Sequence, residues 1–203
     1  MNVAVIDYGA GNLRSVLSAL RTVGCSVRVI DTAADISQVR ALVLPGVGAA
    51  ADTMEGLDSR GLGDVVRSWA EADRPFLGIC MGLQVLFDDS TEGGGRKCLG
   101  ILPGHVVRLP TWEKVPHMGW NQVYFDAANP LFRGILPGSN FYFVHSYIAE
   151  PAEPSVIAGQ TDYGVRFCSV VQKGNLIATQ FHPEKSGGVG LRVYRNFLSA
   201  VAE

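Results

Sequence analysis

The chain has 203 residues, with 17 basic and 19 acidic side chains that leave a formal net charge of −2. This length suits one domain with a substantial core, and we expect a single domain over residues 1–203. The balanced charge gives no basic patch for nucleic acid, and the apolar runs are too short to cross a bilayer, so neither is an expected partner. The beginning of the chain lacks the pattern of a secretory leader, so we expect a cytoplasmic protein.

The first half of the chain alternates near-continuous apolar runs with helical patterns. Strands are predicted at 3–6, 27–30, 41–44 and 76–79, and helices at 13–23, 62–71 and 81–87. This order is typical of a parallel α/β sheet, in which helices cover both faces.

From about residue 104 the strands become shorter and their apolar residues alternate. Strands are predicted at 106–109, 122–125, 142–148, 155–159, 166–171 and 176–180, with a hairpin turn at 173–175 and a last helix at 189–201. The predicted fold class is therefore α/β, with a mostly parallel central sheet flanked by helices and antiparallel strands in the C-terminal half.

A candidate nucleophile lies at the end of the fourth predicted strand. The run Gly78-Ile79-Cys80-Met81-Gly82 connects this strand to a helical pattern, which is typical of a nucleophile elbow with sulfur as the attacking atom. Glycines on both sides of Cys80 leave room for a sharp backbone turn, and the N–H groups of the following helix favour the thiolate. Alone, the pattern is equally compatible with a small buried cysteine in a β/α turn.

A base and a carboxylate follow about a hundred residues later, in Phe181-His182-Pro183-Glu184. Proline restricts the local backbone, so His182 and Glu184 can project to the same side of the chain. Cys80, His182 and Glu184 are thus candidates for the nucleophile, the general base and acid, and the group that orients the imidazole. Alone, His-Pro-Glu also fits a strand-end histidine beside a surface glutamate, but the elbow favours catalysis.

An oxyanion site is predicted beside the elbow. Pro45-Gly46-Val47-Gly48 follows the third predicted strand, which ends at the same edge of the sheet. The backbone N–H groups of Val47 and Met81 are candidate donors to an oxyanion, and the flanking glycines allow the Val47 peptide to turn over. Most Pro-Gly-x-Gly strings are simple turns, so this segment carries weight only with the other two.

The elbow, the glycine loop and the His-Pro-Glu segment, in this order and spacing, resemble the class I (triad) glutamine amidotransferases. Finer strings resemble the family members that serve histidine biosynthesis: DYGAGNLRSV at 7–16, VPHMGWN at 115–121, YFVHSY at 142–147 and HPEKS at 182–186. The resemblance covers nearly the whole chain and implies the flavodoxin-like fold of the family.

The resemblance implies a glutaminase that acts on L-glutamine without a metal or cofactor. The residues that it implies for substrate binding are Gly46, Gly48, Gln84, Ser146 and Tyr147. It also implies a heterodimer with a (β/α)8-barrel cyclase subunit, which receives the ammonia. The residues that it implies for this interface are Asn12, Arg14, Trp120, Asn121, Tyr142 and Lys185.

Two of these segments have a second interpretation. Asp7 and Asn12 can simply cap the first helix, whereas the resemblance puts their loop near the partner. The same loop is not a dinucleotide site, because its third glycine position holds Arg14. Trp120 with Asn121 fits either an aromatic anchor in a β-turn or an exposed interface residue.

Two other functions fit parts of the pattern. A glutaminase of another synthase, such as the pyridoxal phosphate or anthranilate system, would not require the string at 115–121. A non-catalytic scaffold of the same fold would lose the triad, yet all three triad positions are present.

The cysteines and histidines do not predict a disulfide framework or a metal site. Cys25, Cys80, Cys98 and Cys168 are widely spaced, without a Cys-x-x-Cys motif, and the four histidines lack metal-ligand spacing. We expect Cys25 and Cys168 in the core.

Overall fold

The computed structural model describes residues 2–36 and 39–202. Within these ranges 13 strands join in one sheet. The strands are β1 Asn2–Ile6, β2 Ser26–Ile30, β3 Ala41–Leu44, β4 Phe76–Ile79, β5 Asp89–Ser90, β6 Arg96–Lys97, β7 Gly104–Arg108, β8 His117–Phe125, β9 Ser139–His145, β10 Tyr147–Pro151, β11 Ile157–Tyr163, β12 Val165–Lys173 and β13 Leu176–Thr179. The α-helices are α1 Leu13–Thr22, α2 Ala50–Asp58, α3 Leu62–Glu71, α4 Met81–Gln84 and α5 Gly187–Ala202.

One half of the sheet is parallel, in the order β2-β1-β3-β4-β13. Residues of β3, β4 and β13 are buried throughout, because apolar layers lie on both faces. Alternate residues of β1 enter the two layers: Ala4 and Ile6 pack in one, Val3 and Val5 in the other. Burial on both faces explains the near-continuous apolar runs in this half.

The other half is largely antiparallel and continues from β13 through β12, β10 and β7 to the short β5 and β6. A branch of β11, β8 and β9 extends from β12, with β8 and β9 in register from His117 opposite His145 to Val123 opposite Ser139. The α/β fold class with mixed parallel and antiparallel strands is therefore confirmed.

Several predicted boundaries were wrong. Strand β8 begins at His117, five residues before the predicted start, so Trp120 and Asn121 lie in a strand and not in a β-turn. The strand predicted at 142–148 is interrupted at Ser146, where β9 ends and β10 begins.

The helices also differ in part from the prediction. Helix α2 was not predicted, because Ala50–Asp58 is rich in small residues and lacks a clear apolar period. Helix α4 ends at Gln84 after a single turn, and α3 matches its predicted range. Cys25 and Cys168 are buried, as expected. No helix in the described part of the chain is long and apolar enough to span a membrane.

Candidate active site

Cys80 occupies a strained turn between β4 and α4. Its φ is 54° and its ψ is −103°, which is rare for a residue with a side chain. A Cβ atom on Gly78 would collide with the carbonyl oxygen of Gly82, and one on Gly82 would collide with the carbonyl oxygen of Leu44. The sharp elbow therefore requires the two glycines that the sequence places around Cys80.

The elbow lies beside the end of β13, which brings His182 to Cys80. The backbone N–H of Cys80 donates to the Thr179 carbonyl at 2.7 Å, and the chain then reaches His182 in three residues. A 3-10 turn over Pro183–Lys185 follows. The Ser186 hydroxyl donates to the His182 carbonyl at 2.6 Å and accepts from the Tyr142 N–H at 3.0 Å, which attaches this turn to β9.

His182 and Glu184 form a buried pair. Nδ1 of His182 lies 2.8 Å from Oε1 of Glu184, and their side chains are 1% and 0% exposed. The 3-10 turn, not an extended segment, brings them together. Burial lowers the pKa of His182, but the nearby Cys80 and the Glu184 carboxylate outweigh it and raise this pKa to about 10. The site thus favours an imidazolium beside Cys80.

Nε2 of His182 has no hydrogen-bond partner among the described residues. This nitrogen is the one left for proton transfer, since Nδ1 is held by Glu184. The hydrogen bonds that a catalytic base makes are often long in the free enzyme and shorten when the substrate binds.

The predicted oxyanion loop packs against the elbow. A Cβ atom on Gly46 would press on Met81 and Gly82, so the close approach requires glycine there. Gly48 has a φ of 99°, a conformation that glycine adopts without strain. Val47 and Gly48 line the same cleft as Cys80 and Met81.

A cleft of about 370 Å³ opens above Cys80. Its lining includes four predicted substrate-binding residues, namely Gly48, Gln84, Ser146 and Tyr147. An acidic and a basic residue that were not predicted to bind the substrate, Glu92 and Lys185, also line it. The Glu92 carboxylate accepts the N–H of Ala50 at 2.8 Å, which fixes the loop around Glu92 to the start of α2.

The family is decided by comparison with known proteins. The family model described as "Glutamine amidotransferase class-I" matches residues 4–201. The chain belongs to the class-I glutamine amidotransferase family. The resemblance found in the sequence is thus confirmed.

Similar family members share about half of their residues with the chain. It is 53% identical over 196 residues to the imidazole glycerol phosphate synthase subunit HisH of Dehalococcoides mccartyi, covering 97% of this chain and 96% of that protein. It is 52% identical over 195 residues to the same subunit of Moorella thermoacetica, covering 96% and 93%. A glutamine amidotransferase crystal structure with a TM-score of 0.78 covers 99% of both chains at 20% identity, which shows a shared fold.

The Asn12 side chain contacts Glu184, one of the three predicted triad residues. Its Nδ2 donates to Oε1 of Glu184 at 3.2 Å across 172 residues of sequence. Asn12 is the N-cap residue of α1, as the capping interpretation expects, but its side chain makes no capping bond in the described structure. Sequence reasoning assigned Asn12 to the interface and missed this contact.

The other predicted interface residues lie on surfaces near the cleft. Trp120 is 58% exposed and packs edge to face on Tyr142, with ring centroids 6.1 Å apart. Lys185 places its Nζ 5.7 Å from the Tyr142 ring and also lines the cleft. Arg14 is exposed on α1. These contacts join the exposed face of β8 to the mouth of the cleft.

A hydrogen-bonded pair of histidines was also missed. Nδ1 of His117 lies 2.9 Å from Nε2 of His145, and Nδ1 of His145 lies 2.9 Å from the Tyr147 carbonyl oxygen. The Asn121 amide lies 3.2 Å from Nε2 of His117. The segments 115–121 and 142–147, which hold these histidines, were noted only for their family resemblance. The in-register pairing of β8 with β9 brings the two rings together.

The described residues contain no group of three or more histidines, cysteines, aspartates or glutamates placed to hold a metal ion.

Proposed function

We propose that the chain is the glutaminase subunit of imidazole glycerol phosphate synthase and hydrolyses L-glutamine to glutamate and ammonia in histidine biosynthesis. The observation that carries this proposal is the Cys80 elbow, which lines the cleft and lies beside the buried His182–Glu184 pair. The relatives that are about half identical, each named HisH, support the choice of synthase.

In the proposed reaction the Cys80 thiolate attacks the side-chain carbonyl carbon of glutamine. The N–H groups of Val47 and Met81 stabilise the oxyanion, and the His182 imidazolium donates a proton as the C–N bond breaks and ammonia leaves. The imidazole, now neutral, removes a proton from water, and the resulting hydroxide attacks the thioester. The C–S bond then breaks and releases glutamate.

The charges of the cleft support an α-amino acid as the substrate. Glutamine carries one ammonium and one carboxylate, and the cleft presents one carboxylate, Glu92, and one ammonium, Lys185. The polar backbone of Gly46, Gly48, Ser146 and Tyr147 and the amide of Gln84 would hold the amino-acid part, as the resemblance implies. A single glutamine fits within the volume of the cleft.

The proposed partner is the cyclase subunit HisF, a (β/α)8 barrel, in a heterodimer. Ammonia would pass directly to this subunit, which makes imidazole glycerol phosphate and aminoimidazole carboxamide ribotide. The exposed apolar side chains of β8, Met118, Trp120 and Tyr124, support an interface on this face. A cytoplasmic location and a single domain over 1–203 remain predictions from the sequence.

Replacement of the nucleophile tests the function. Cys80→Ser in the complex reconstituted with HisF should reduce glutamine-dependent synthesis by several orders of magnitude, because the covalent route is lost. Synthesis from added ammonium salt should stay nearly intact, since only ammonia production needs Cys80. Cys98→Ser, a replacement of a buried cysteine outside the cleft, is the matched control. Equal loss of both activities in Cys80→Ser would refute the assignment.

The interface is tested by an exposed aromatic residue. Trp120→Ala should weaken binding of HisF and stimulation of the glutaminase by tenfold or more, because buried interface tryptophans typically contribute roughly 2 kcal/mol or more. Leu136→Ala is the control, since Leu136 is 79% exposed beyond the far end of the β8–β9 pair. Unchanged titration of Trp120→Ala with HisF would place the interface elsewhere.

A further inference from the structure

Gln180 is a buried polar residue that the mechanism above does not use. It follows β13, two residues before His182, and is 0% exposed. Its backbone N–H donates to the Ser169 carbonyl at 2.9 Å, which fixes the main chain at this point. Burying a side-chain amide costs free energy of folding unless both its oxygen and its nitrogen form hydrogen bonds.

The side chain of Gln180 connects the nucleophile to Gln84. Its Nε2 lies 3.6 Å from the Cys80 sulfur, and its Oε1 accepts from Nε2 of Gln84 at 3.0 Å. Nε2 of Gln84 also donates to the Tyr147 carbonyl at 3.0 Å.

These contacts determine which end of the Gln180 amide faces the sulfur. The Tyr147 carbonyl can only accept, so the nitrogen of Gln84 has to be at that end. Gln180 must then offer its oxygen to Gln84 and its nitrogen to Cys80. The opposite orientation would place two donors together and would point an oxygen at the sulfur.

One polar atom remains unpaired in this arrangement. Oε1 of Gln84 is buried and has no hydrogen-bond partner within residues 2–36 and 39–202. Gln84 lines the cleft, so its oxygen is available to a donor group of a bound ligand. The ammonium group of glutamine is such a donor.

We propose that Gln180 is a catalytic residue, which donates a hydrogen bond to the Cys80 thiolate and holds Gln84 so that its oxygen receives the substrate ammonium. The proposal rests on the proposed function only in taking glutamine as the ligand and Cys80 as the nucleophile. A donor beside sulfur favours the charged form, because a hydrogen bond to an anion is stronger than one to the neutral thiol.

Other groups around Cys80 act together with Gln180. His182, backed by Glu184, supplies the positive charge, and the Val144 carbonyl lies 3.9 Å from the sulfur on the β9 side. The Tyr8 hydroxyl approaches from the loop after β1, and the pKa of this phenol is raised by burial and, to a lesser degree, by Cys80. Glu92 and Lys185 lie on the lining of the cleft. Gln180 is thus the neutral donor in a site whose charge comes from the imidazolium.

The expected effect has opposite signs at low and high pH. A hydrogen bond to an anion changes the thiolate fraction by about tenfold, whereas the intrinsic reactivity of a thiolate changes by only about threefold in the opposite direction. In Gln180→Met, alkylation of Cys80 by iodoacetamide should therefore be about threefold slower than in the wild type on the acid side of the measured profile, where the rate still rises with pH. On the alkaline plateau of the profile, where the rate no longer rises with pH in either protein, the variant should be about threefold faster.

The experiment measures the rate of Cys80 alkylation from pH 5.5 to 9.5 by mass spectrometry of the Cys80 peptide, because three other thiols are present. Gln172→Met, which removes an amide from β12 that bonds Asn129, is the matched control and should follow the wild type. A reversal of the rate ratio supports the proposal. A constant ratio across this range in folded Gln180→Met would overturn it.

Two further measurements complete the test. If Gln180→Met does not fold, Gln180→Glu keeps the shape and replaces the donor with an acceptor. It should be alkylated more slowly than the wild type at pH 7, and an equal rate there would overturn the proposal. In the HisF complex, either variant should also raise KM for glutamine several-fold, and an unchanged KM would refute the role of Gln84. Failure of a glutamine-analogue affinity label to modify wild-type Cys80 would instead refute the proposed function.

Discussion

Two buried histidine sites in this protein have pKa values that are shifted in opposite directions. His182 is 1% exposed and His145 is 5% exposed, so burial alone does not distinguish them. Beside Cys80 and Glu184 the pKa of His182 is raised to about 10. Burial lowers the pKa of His117 to about 4 and that of His145 to about 3. The neighbours decide the difference: Cys80 and the Glu184 carboxylate outweigh burial at His182, whereas the hydrogen bond to the Tyr147 carbonyl does not outweigh burial at His145.

The two sites also differ in what their hydrogen bonds leave free. Nε2 of His182 is unpaired among the described residues, so it can exchange a proton with a substrate. In the second site Tyr147, His145, His117 and Asn121 form a chain in which every ring nitrogen has a partner. The ring of His117 also stacks on Tyr163 at 4.0 Å between centroids. In the proposed reaction the first site transfers protons, whereas the second connects β8 to the Tyr147 backbone.

The largest expected effect is the loss of kcat when His182 is replaced, compared with the loss when Glu184, the carboxylate that orients it, is replaced. His182→Ala should lower the glutaminase kcat in the HisF complex by about a thousandfold or more, because the same ring acts as acid and base. Glu184→Gln should be milder, since it keeps a hydrogen-bonding group but loses the charge that stabilises the imidazolium.

Steady-state glutaminase assays check this order. His105→Ala is the control, because His105 is exposed and pairs with Asp89 at the surface. If Glu184→Gln were worse than His182→Ala in folded protein, the two roles would be wrongly assigned.

The next effect concerns stability against acid. In the unfolded chain histidines take up protons below a pH of about 6.5, whereas folded His117 and His145 stay neutral down to about 4 and 3. The stability that depends on these neutral rings is therefore present above pH 6.5 and is lost as pH falls toward 4, by up to a few kcal/mol. His182 has the opposite sign, since its contribution is present below pH 6.5 and is lost as pH rises toward 10.

Urea unfolding at pH 7 and at pH 4.5 measures this difference. His145→Gln removes one of the two titrating rings, so its free energy of unfolding should depend less on pH in this range, although it is less stable at pH 7. His105→Gln again serves as the control. An undiminished acid slope in His145→Gln would show that the pair is not the acid-sensitive element.

Local patterns were enough to predict the strands of the parallel half and to propose Cys80, His182 and Glu184 as a triad. Cys80, His182 and Glu184 each lie in a short motif, and strands buried on both faces, such as β3 and β4, are recognisable as continuous apolar runs. The strand start at His117 was hidden, because Pro116 and Gly119 are atypical of strand interiors. The interruption at Ser146 was hidden inside an otherwise regular pattern.

Contacts between distant parts of the chain could not be predicted from motifs. Gln180 reaches Cys80 across 100 residues, and His117 reaches His145 across 28. The segments around Gln180, His117 and His145 predict no chemical role for these three side chains. They become functional candidates only when the register of β8 with β9 and of β13 with β4 is known.

The smallest expected effect is that of Asn12, and it distinguishes a role beside His182 and Glu184 from a role in the interface with the partner. Its amide is a second donor to Oε1 of Glu184, so Asn12→Ala should lower kcat by about two- to fivefold, the typical effect of one such hydrogen bond. The glutaminase rate of the isolated chain should fall by the same factor as that of the HisF complex, because the bond lies within this chain. Asn140→Ala, an exposed asparagine on β9, is the control. A loss confined to the complex would instead assign Asn12 to partner contacts, and the proton-holding site would then depend on His182 and Glu184 without this third residue.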